Sequence, residues 1–565
     1  MLKWQTKEQL TQLLCELVQI PSITGTDGEK EVPPFLAGQL GLLPYFQLHP
    51  ELLQVHPTED GRSFITALVR SEPKVRQTIV LLSHFDVVGV EDYADWKPNA
   101  FDPKSLTGML LAQKDRLPAE VQRDIEDGSW LFGRGVMDMK CGLALHMSMI
   151  ERACHGEFDG NVLLLSVPDE EVGSVGMRAA VPVLLEIADR HGLDFKTVLN
   201  SEPMFSRHPG DSNHYIYKGT IGKVLPGFLC YGKETHVGEP LAGLNGNYMA
   251  SRITCEMELD PSFCETVGSE VTPPPTNLIQ YGLKKNYSVQ TPHRAVAMFN
   301  LFLFEKTAEQ LVEPLLSAAS RASLRMEEDY RTRAKYFLDK GMQAVPELKI
   351  RVMTYKELHQ YASRTYGKDK VEQVMDTALH GQKDFDDRES TIALVDSLAA
   401  LCHELAPMIV LFFAPPYYPA VTWKDDPFTG KVTDEITSYA HKHHHIDLAH
   451  QNFFAAISDL SYVGMPNQSS SHRAFADLMP LWEKGYSIPL KELERFVVPV
   501  LNLGPVGRDA HKWTERLDID YAFGTLVDLL QTCIRSIFAA SDSIEGDLRS
   551  LQSFHLDELE QRTGG

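Results

Sequence analysis

Six side chains in this chain share a chemistry and a setting. His84 and Asp86 close the segment QTIVLLSHFD, Glu170 and Glu171 follow NVLLLSVPD, and Glu202 follows TVLN, each after an apolar run that predicts a buried strand. Asp138 lies in a glycine-rich turn, GRGVMDMKCG, that leads into a helix-like stretch. In open α/β sheets ligands gather at the carboxyl ends of the strands, so these scattered side chains could converge. Several carboxylates a few ångströms apart raise one another's pKa and cannot all ionise. A divalent cation reverses that balance. Two metals could be held by two histidines, one shared carboxylate and two terminal carboxylates, an oxygen-and-nitrogen set that suits zinc. Taken singly, each position has a plainer reading: His84 as a satisfied core histidine, Glu170–Glu171 as a solvated helix start, Asp138 as a helix cap. Their joint order and strand-end placement favour the metal.

The elements that would position these groups alternate. Leucines at helical spacing over residues 6–19 predict a helix that Pro21 ends. SFITALVR and QTIVLLSH read as strands, LALHMSMIERA as a helix, NVLLLSV as a strand, RAAVPVLLEIADRHG as a helix and KTVLN as a strand. That order argues for an α/β sheet with helices packed outside it. From about residue 214 the pattern changes. YIYKGTIGKVLPGFLCYG is longer, more alternating and punctuated by glycine, as antiparallel strands with one exposed face would be. A helix near 246–258, a strand near 295–304 and a long charged helix near 307–338 follow. We read three stretches: 1–214 as the first part of a catalytic domain, 215–417 as an inserted α+β domain, and 418–565 as the remainder of the first domain. PMIVLFFAPPYYPAV reads as the segment returning to the first domain, and the Lys-, Asp- and Glu-rich stretch before it as an enlargement of the insert.

Composition narrows the partners. With 54 basic against 77 acidic residues in 565, the net charge of -23 repels phosphate backbones and anionic membranes, so neither nucleic acid nor a membrane is expected as a partner. Eight cysteines with no CxxC pair do not form a disulfide framework or a thiolate zinc site. The opening MLKWQTKEQL is charged where a signal peptide is apolar, and PMIVLFFAPP is too short to span a bilayer. A cytoplasmic protein is expected.

The series SHFD, GRGVMDMKCG, PDEEVGS, NSEP and GPVGRDAHKWTE resembles the M20 family of zinc-dependent amidohydrolases and peptidases, and the likeness runs from LVQIPSITGTDGE to the last motif. Size and motif flavour look most like its arginine-utilisation branch. The resemblance implies a phosphorylase/hydrolase-like zinc-exopeptidase domain with an inserted lid, two zinc ions (cobalt or manganese in their place), and a role for each position. His84 and Glu202 would bind one zinc, Glu171 and His511 the other, and Asp138 would bridge both; Asp86 would orient His84 and Glu170 would be the general base. In GKETHVGEPLAGLNGNYMA, His236 matches the lid histidine that stabilises the oxyanion and Asn245 a lid asparagine near the substrate. AMFNLF departs from the family's Asp-x-Arg pattern, with Asn300, Leu301 and Phe302 there instead. The resemblance implies hydrolysis of an amide bond in an N-acyl amino acid or related derivative, in arginine catabolism, by a homodimer or by a monomer with an enlarged lid. A dipeptidase or exopeptidase, or a non-catalytic binding protein that keeps the fold, are the alternatives. The cluster His441, His443, His444, His445 and His450 reads as a polar helix end, and Ser458–Asp459 is assigned no chemistry.

Overall fold

The computed structural model describes residues 2–71, 74–208, 210–341, 347–381, 385–464 and 475–541. These divide into two units, the first taking 2–220, Val421–Gly464 and 491–541, the second Ile221–Ala420 and 475–490.

The first unit is built on an eight-stranded sheet. In chain order its strands are β1 (Leu53–Pro57), β2 (Ser63–Val69), β3 (Gln77–His84), β4 (Asn161–Val167), β5 (Asp194–Asn200), β6 (His214–Tyr217), β7 (Leu448–Gln451) and β8 (Val500–Asn502). Their spatial order is β1-β2-β4-β3-β5-β8-β6-β7. The central block β4-β3-β5-β8 is parallel; β2 runs against it, and β1, antiparallel to β2, runs in the block's direction. The apolar runs of β3 and β4 are buried nearly throughout, as strands covered on both faces must be. The helix Lys140–Cys154 buries residues all round its circumference, which marks it as a core helix rather than an amphipathic surface one. Its first turn lies so close to the end of β5 that a Cβ on Gly142 would meet the Ser201 carbonyl at 2.5 Å. Only glycine allows that approach. The N-terminal helix Lys7–Val18 is closed by a Thr6–Gln9 capping box. The chain's last described helix, Tyr521–Ser541, is long and apolar enough to cross a membrane by composition, yet 61% of that window is buried in the protein.

The second unit is α+β. Its five-stranded sheet runs Thr276–Gly282, Arg294–Leu303, Gly222–Tyr231, Met408–Tyr418 and Arg351–Thr354. All pairings are antiparallel except the last. Gly246–Met257 and Val312–Leu338 are its main helices, and Tyr355–Tyr366, Lys368–His380 and Asp387–Leu401 are the added ones. Two sequence readings are corrected here. PMIVLFFAPPYYPAV does not return to the first unit: Met408–Tyr418 is buried along its whole length inside the second sheet, and the return begins at Val421. YIYKGTIGKVLPGFLCYG is not one antiparallel segment: His214–Tyr217 joins the first sheet as β6, and Gly222–Tyr231 begins the second.

Candidate metal centre

His84 is the last residue of β3, Glu170 and Glu171 follow β4, and Glu202 follows β5. Parallel neighbours deliver all four to one edge of the sheet. Asp138 arrives from the turn before the helix Lys140–Cys154, and His511 from the loop after β8. The ligand atoms of His84, Asp138 and Glu202 lie within 4.8 Å of one another, and so do those of Asp138, Glu171 and His511. Asp138 belongs to both groups. One of its oxygens is 3.3 Å from His84 Nε2 and the other 3.2 Å from His511 Nε2. Glu202 Oε1 is 3.4 Å from His84 Nε2, and Glu171 Oε1 is 3.1 Å from His511 Nε2. Glu170 Oε2 lies 3.9 Å from His84 Nε2. All are buried or nearly so except His511, whose side chain is 48% exposed.

His84 Nδ1 is 3.0 Å from the carbonyl oxygen of Asp86 and 3.5 Å from its carboxylate. A proton on Nδ1 donated to that carbonyl leaves Nε2 facing the cluster. The Asp86 carboxylate has other partners: it accepts from the Glu170 N–H at 3.0 Å, the Glu171 N–H at 3.3 Å and the Thr24 hydroxyl at 2.8 Å. It therefore fixes the turn that carries both glutamates. The preceding residue, Asp169, has φ +71, a left-handed conformation that a non-glycine residue adopts at a cost. Glu29 accepts the Asp169 N–H at 3.1 Å, and Arg62 binds Glu29 at 2.9 Å and the Asp169 carboxylate at 2.8 Å.

The electrostatics are those of a crowded acid cluster. Burial works to lower the His84 pKa, but Glu202 and Asp138 outweigh it and hold the imidazole well above its ordinary value. Burial likewise opposes His511, which Asp138 and Glu171 push up to about 11. Burial pushes Glu202 up to about 8 against the pull of His84, and raises Glu170 well above the carboxylate range with Glu202 and Glu171 adding to it. Asp138 is held low despite its burial by the two histidines. His84 Nε2, Glu171 Oε1 and Glu202 Oε1 are buried without a hydrogen-bond partner among the described residues. Buried polar atoms are ordinarily satisfied, so these converging nitrogens and oxygens fit cations better than they fit one another.

The other positions named from the sequence belong to other elements. His236 is on an exposed loop of the second unit, its Nδ1 accepting the Gly238 N–H at 3.1 Å. Asn245 caps the helix Gly246–Met257, its side-chain oxygen accepting the Asn247 N–H at 2.9 Å. Asn300, Leu301 and Phe302 lie in the strand Arg294–Leu303. Of the histidine cluster, His441, His443 and His444 fall in the last turn of Pro427–His444; His441 faces Asp447, His444 faces Asp528 and His450 faces Thr437. They share no site. Asp459, to which the sequence assigned no chemistry, is buried, and burial pushes it up to about 7 against the pull of Ser174 and His84. The preceding Ser458 accepts from Asn200 Nδ2 at 3.1 Å.

Residues 80–473 match the model of peptidase family M20/M25/M40. The chain belongs to this family. It is accordingly an enzyme of the metallopeptidase and amidohydrolase group. It is 46% identical over 542 residues to the uncharacterized protein YqjN of Bacillus subtilis, covering 96% of this chain and 98% of that one. It is 29% identical over 535 residues to the protein RocB of the same organism, covering 93% and 94%. Among solved structures it resembles a tripeptidase from Staphylococcus aureus (TM-score 0.51, 14% identity, 94% of this chain and 99% of that one). An M20 family metallo-carboxypeptidase from Sulfolobus solfataricus matches equally well, with TM-score 0.51, 13% identity and the same 94% and 99% coverage. These likenesses bear on the fold.

Proposed function

We propose that this M20 enzyme hydrolyses an amide bond in an N-acyl amino acid or a related small amino-acid derivative, using two bound zinc ions. The observation that carries the reading is the shared Asp138 carboxylate, which turns one oxygen toward each histidine. His84 and Glu202 would hold one ion and Glu171 and His511 the other, with Asp138 on both. When bound, such ions supply Lewis acidity and lower the pKa of water from ~16 toward ~7. Glu170 takes the proton of the attacking water on its carboxylate and returns it to the leaving nitrogen. Its burial suits that role, because a carboxylate pushed upward in pKa is a stronger base than an exposed one. Asp86 keeps Glu170 in place through the backbone. By its resemblance to the family's lid histidine, His236 would stabilise the oxyanion. All eight cysteines are free thiols, in keeping with a cytoplasmic protein.

The test is metal analysis followed by a substrate screen. N-acyl amino acids, with arginine, citrulline and ornithine derivatives first, would be set beside dipeptides and tripeptides. About two metal ions per chain and selective turnover of the acyl amino acids are expected. Preferential cleavage of peptides would replace the deacylase with a peptidase, and a chain that binds no metal would end the reading.

A further inference from the structure

His511 presents a mechanical problem. Its side chain is half exposed, its backbone is left-handed at φ +65, and nearby Asp509 is left-handed too, at φ +59. An imidazole this exposed depends on its loop, more than on packing around the ring, to stay within the tolerance a metal ligand needs. Four residues later the same loop carries Glu515, which is 1% exposed. Glu515 Oε1 accepts the Gly135 N–H at 2.8 Å and the Met137 N–H at 3.3 Å, while Oε2 binds Arg134 at 2.7 Å. The Glu515 carbonyl accepts the Gly133 N–H at 3.2 Å. Those four residues form the turn that ends in Asp138. Arg134, itself 1% exposed, continues to Asp92 at 3.1 Å and lies over the Tyr93 ring, in the segment that follows His84 and Asp86. Beside this link, Trp513 stacks on Trp96 at 4.7 Å.

We propose that the buried Arg134–Glu515 pair is the positioning device of the two-metal site, tying the His511 loop to the Asp138 turn so that the carboxylate shared by both metals faces both histidines. This rests on the two-metal reading of the preceding section. A carboxylate that took only an arginine would be an ordinary buried ion pair. Glu515 also takes two backbone N–H groups of the metal turn, so its removal shifts that backbone directly. The pair touches no proposed ligand atom, and so it acts only through the loops.

The experiment uses the metal-free full-length protein, titrated with Co²⁺ against a chromophoric chelator, with circular dichroism recorded on each variant. His511→Ala identifies the equivalent of metal that depends on that loop. In Glu515→Gln that same equivalent, which depends on both the His511 loop and the Asp138 turn, should weaken ~10- to 100-fold, the usual cost of losing a group behind a metal ligand, and the other, which depends on the Asp138 turn alone, by less. Because Glu515→Gln leaves Arg134 buried without a counter-charge and could unfold the loop, the paired variant Arg134→Gln/Glu515→Gln is measured beside it; it carries no buried charge, and the same selective weakening is expected. Parent-like affinity at both equivalents in either folded variant would overturn the proposal. So would equal weakening of both equivalents, or loss of the folded spectrum in the paired variant, since each marks a merely structural pair. If the parent protein itself binds no Co²⁺, it is the two-metal reading that fails, and the two failures are distinguishable.

Discussion

Replacing Asp138 by Asn tests the geometry most directly, because one side chain belongs to both groups of ligand atoms. The amide keeps the size of the carboxylate but loses its charge and one of its two acceptor oxygens. In the metal-free protein the effects partly cancel. Asp138 loses its attraction to His84 and His511, and Glu171 and Glu202 lose a repulsive neighbour. With metal the effects add. Each ion would lose one of three candidate ligands. Removing one partner of a buried charge pair costs ~3–5 kcal/mol, and ~1.4 kcal/mol is tenfold in affinity. Taking the lower figure, since the His511 side is half open to solvent, Asp138→Asn should weaken both sites by ~100-fold or more. Glu202→Gln should weaken one site only, and Glu171→Gln or His511→Ala only the other. The assay is stoichiometry and affinity by titration of metal-free protein against a competing chelator. A variant Asp138→Asn that keeps two ions at parental affinity, or loses only one, would refute the shared-carboxylate argument.

Glu170→Gln should retain both metals and lose ~10²–10⁴-fold in kcat, the usual weight of a general base; near-parental turnover would remove Glu170 from that role. His236→Ala should lower kcat while metal content stays at the parental level, and an unchanged kcat would make it a bystander. Metal affinity should rise with pH, because ions must displace protons from His84 and His511, both held above the ordinary histidine range. Calorimetry in buffers of different ionisation enthalpy would report that release, and its absence would count against the paired histidines. The sign for the metal-free fold is opposite: a raised histidine stabilises fully below its unfolded value of ~6.5 and that stabilisation fades as pH climbs through about 11, so melting temperature should fall over that window. Arg62→Met leaves Glu29 buried without its cation. Burial already pushes Glu29 up to about 7, so the loss should sit near the lower end of the ~3–5 kcal/mol range, seen as a drop of several degrees in melting temperature.

The strands that deliver His84 and Glu170 were legible because a continuous apolar run is a local signal of burial on both faces. The same signal misled at PMIVLFFAPPYYPAV. An apolar run says that a strand is covered; it does not say which sheet covers it, and Met408–Tyr418 pairs with Gly222–Tyr231 instead of the first sheet. In YIYKGTIGKVLPGFLCYG the crossing between units falls at Thr220–Ile221, inside a stretch whose alternation continues on either side. The groups behind the site were hidden for a different reason. Arg134 and Glu515 are 381 residues apart in sequence, and Arg62 and Asp169 are 107 apart. Complementarity over such distances leaves no spacing to read, whereas a ligand set at strand ends does.

The acidic residues around the site fall into two kinds, and the division bears on why the protein should need cations. Asp86, Glu29 and Glu515 each accept backbone N–H groups from the turn that carries a candidate ligand or the base, at Glu170, Asp169 and Gly135 respectively. Two of the three also have an arginine of their own, Arg62 for Glu29 and Arg134 for Glu515. These outer carboxylates are satisfied within the chain. The inner ones are not: Glu171 and Glu202 each keep a buried oxygen without a hydrogen-bond partner among the described residues, and their nearest basic neighbours are two histidines that must be protonated to help. Arg62 and Arg134 are placed one layer out, on Glu29, Asp169 and Glu515. An arrangement selected only for stability would pair the inner carboxylates too, since leaving charge buried and unpaired costs several kcal/mol. Divalent ions at the two ligand groups would remove that cost and lower the proton affinity of the inner carboxylates, which is the state in which Glu170 can act as a base.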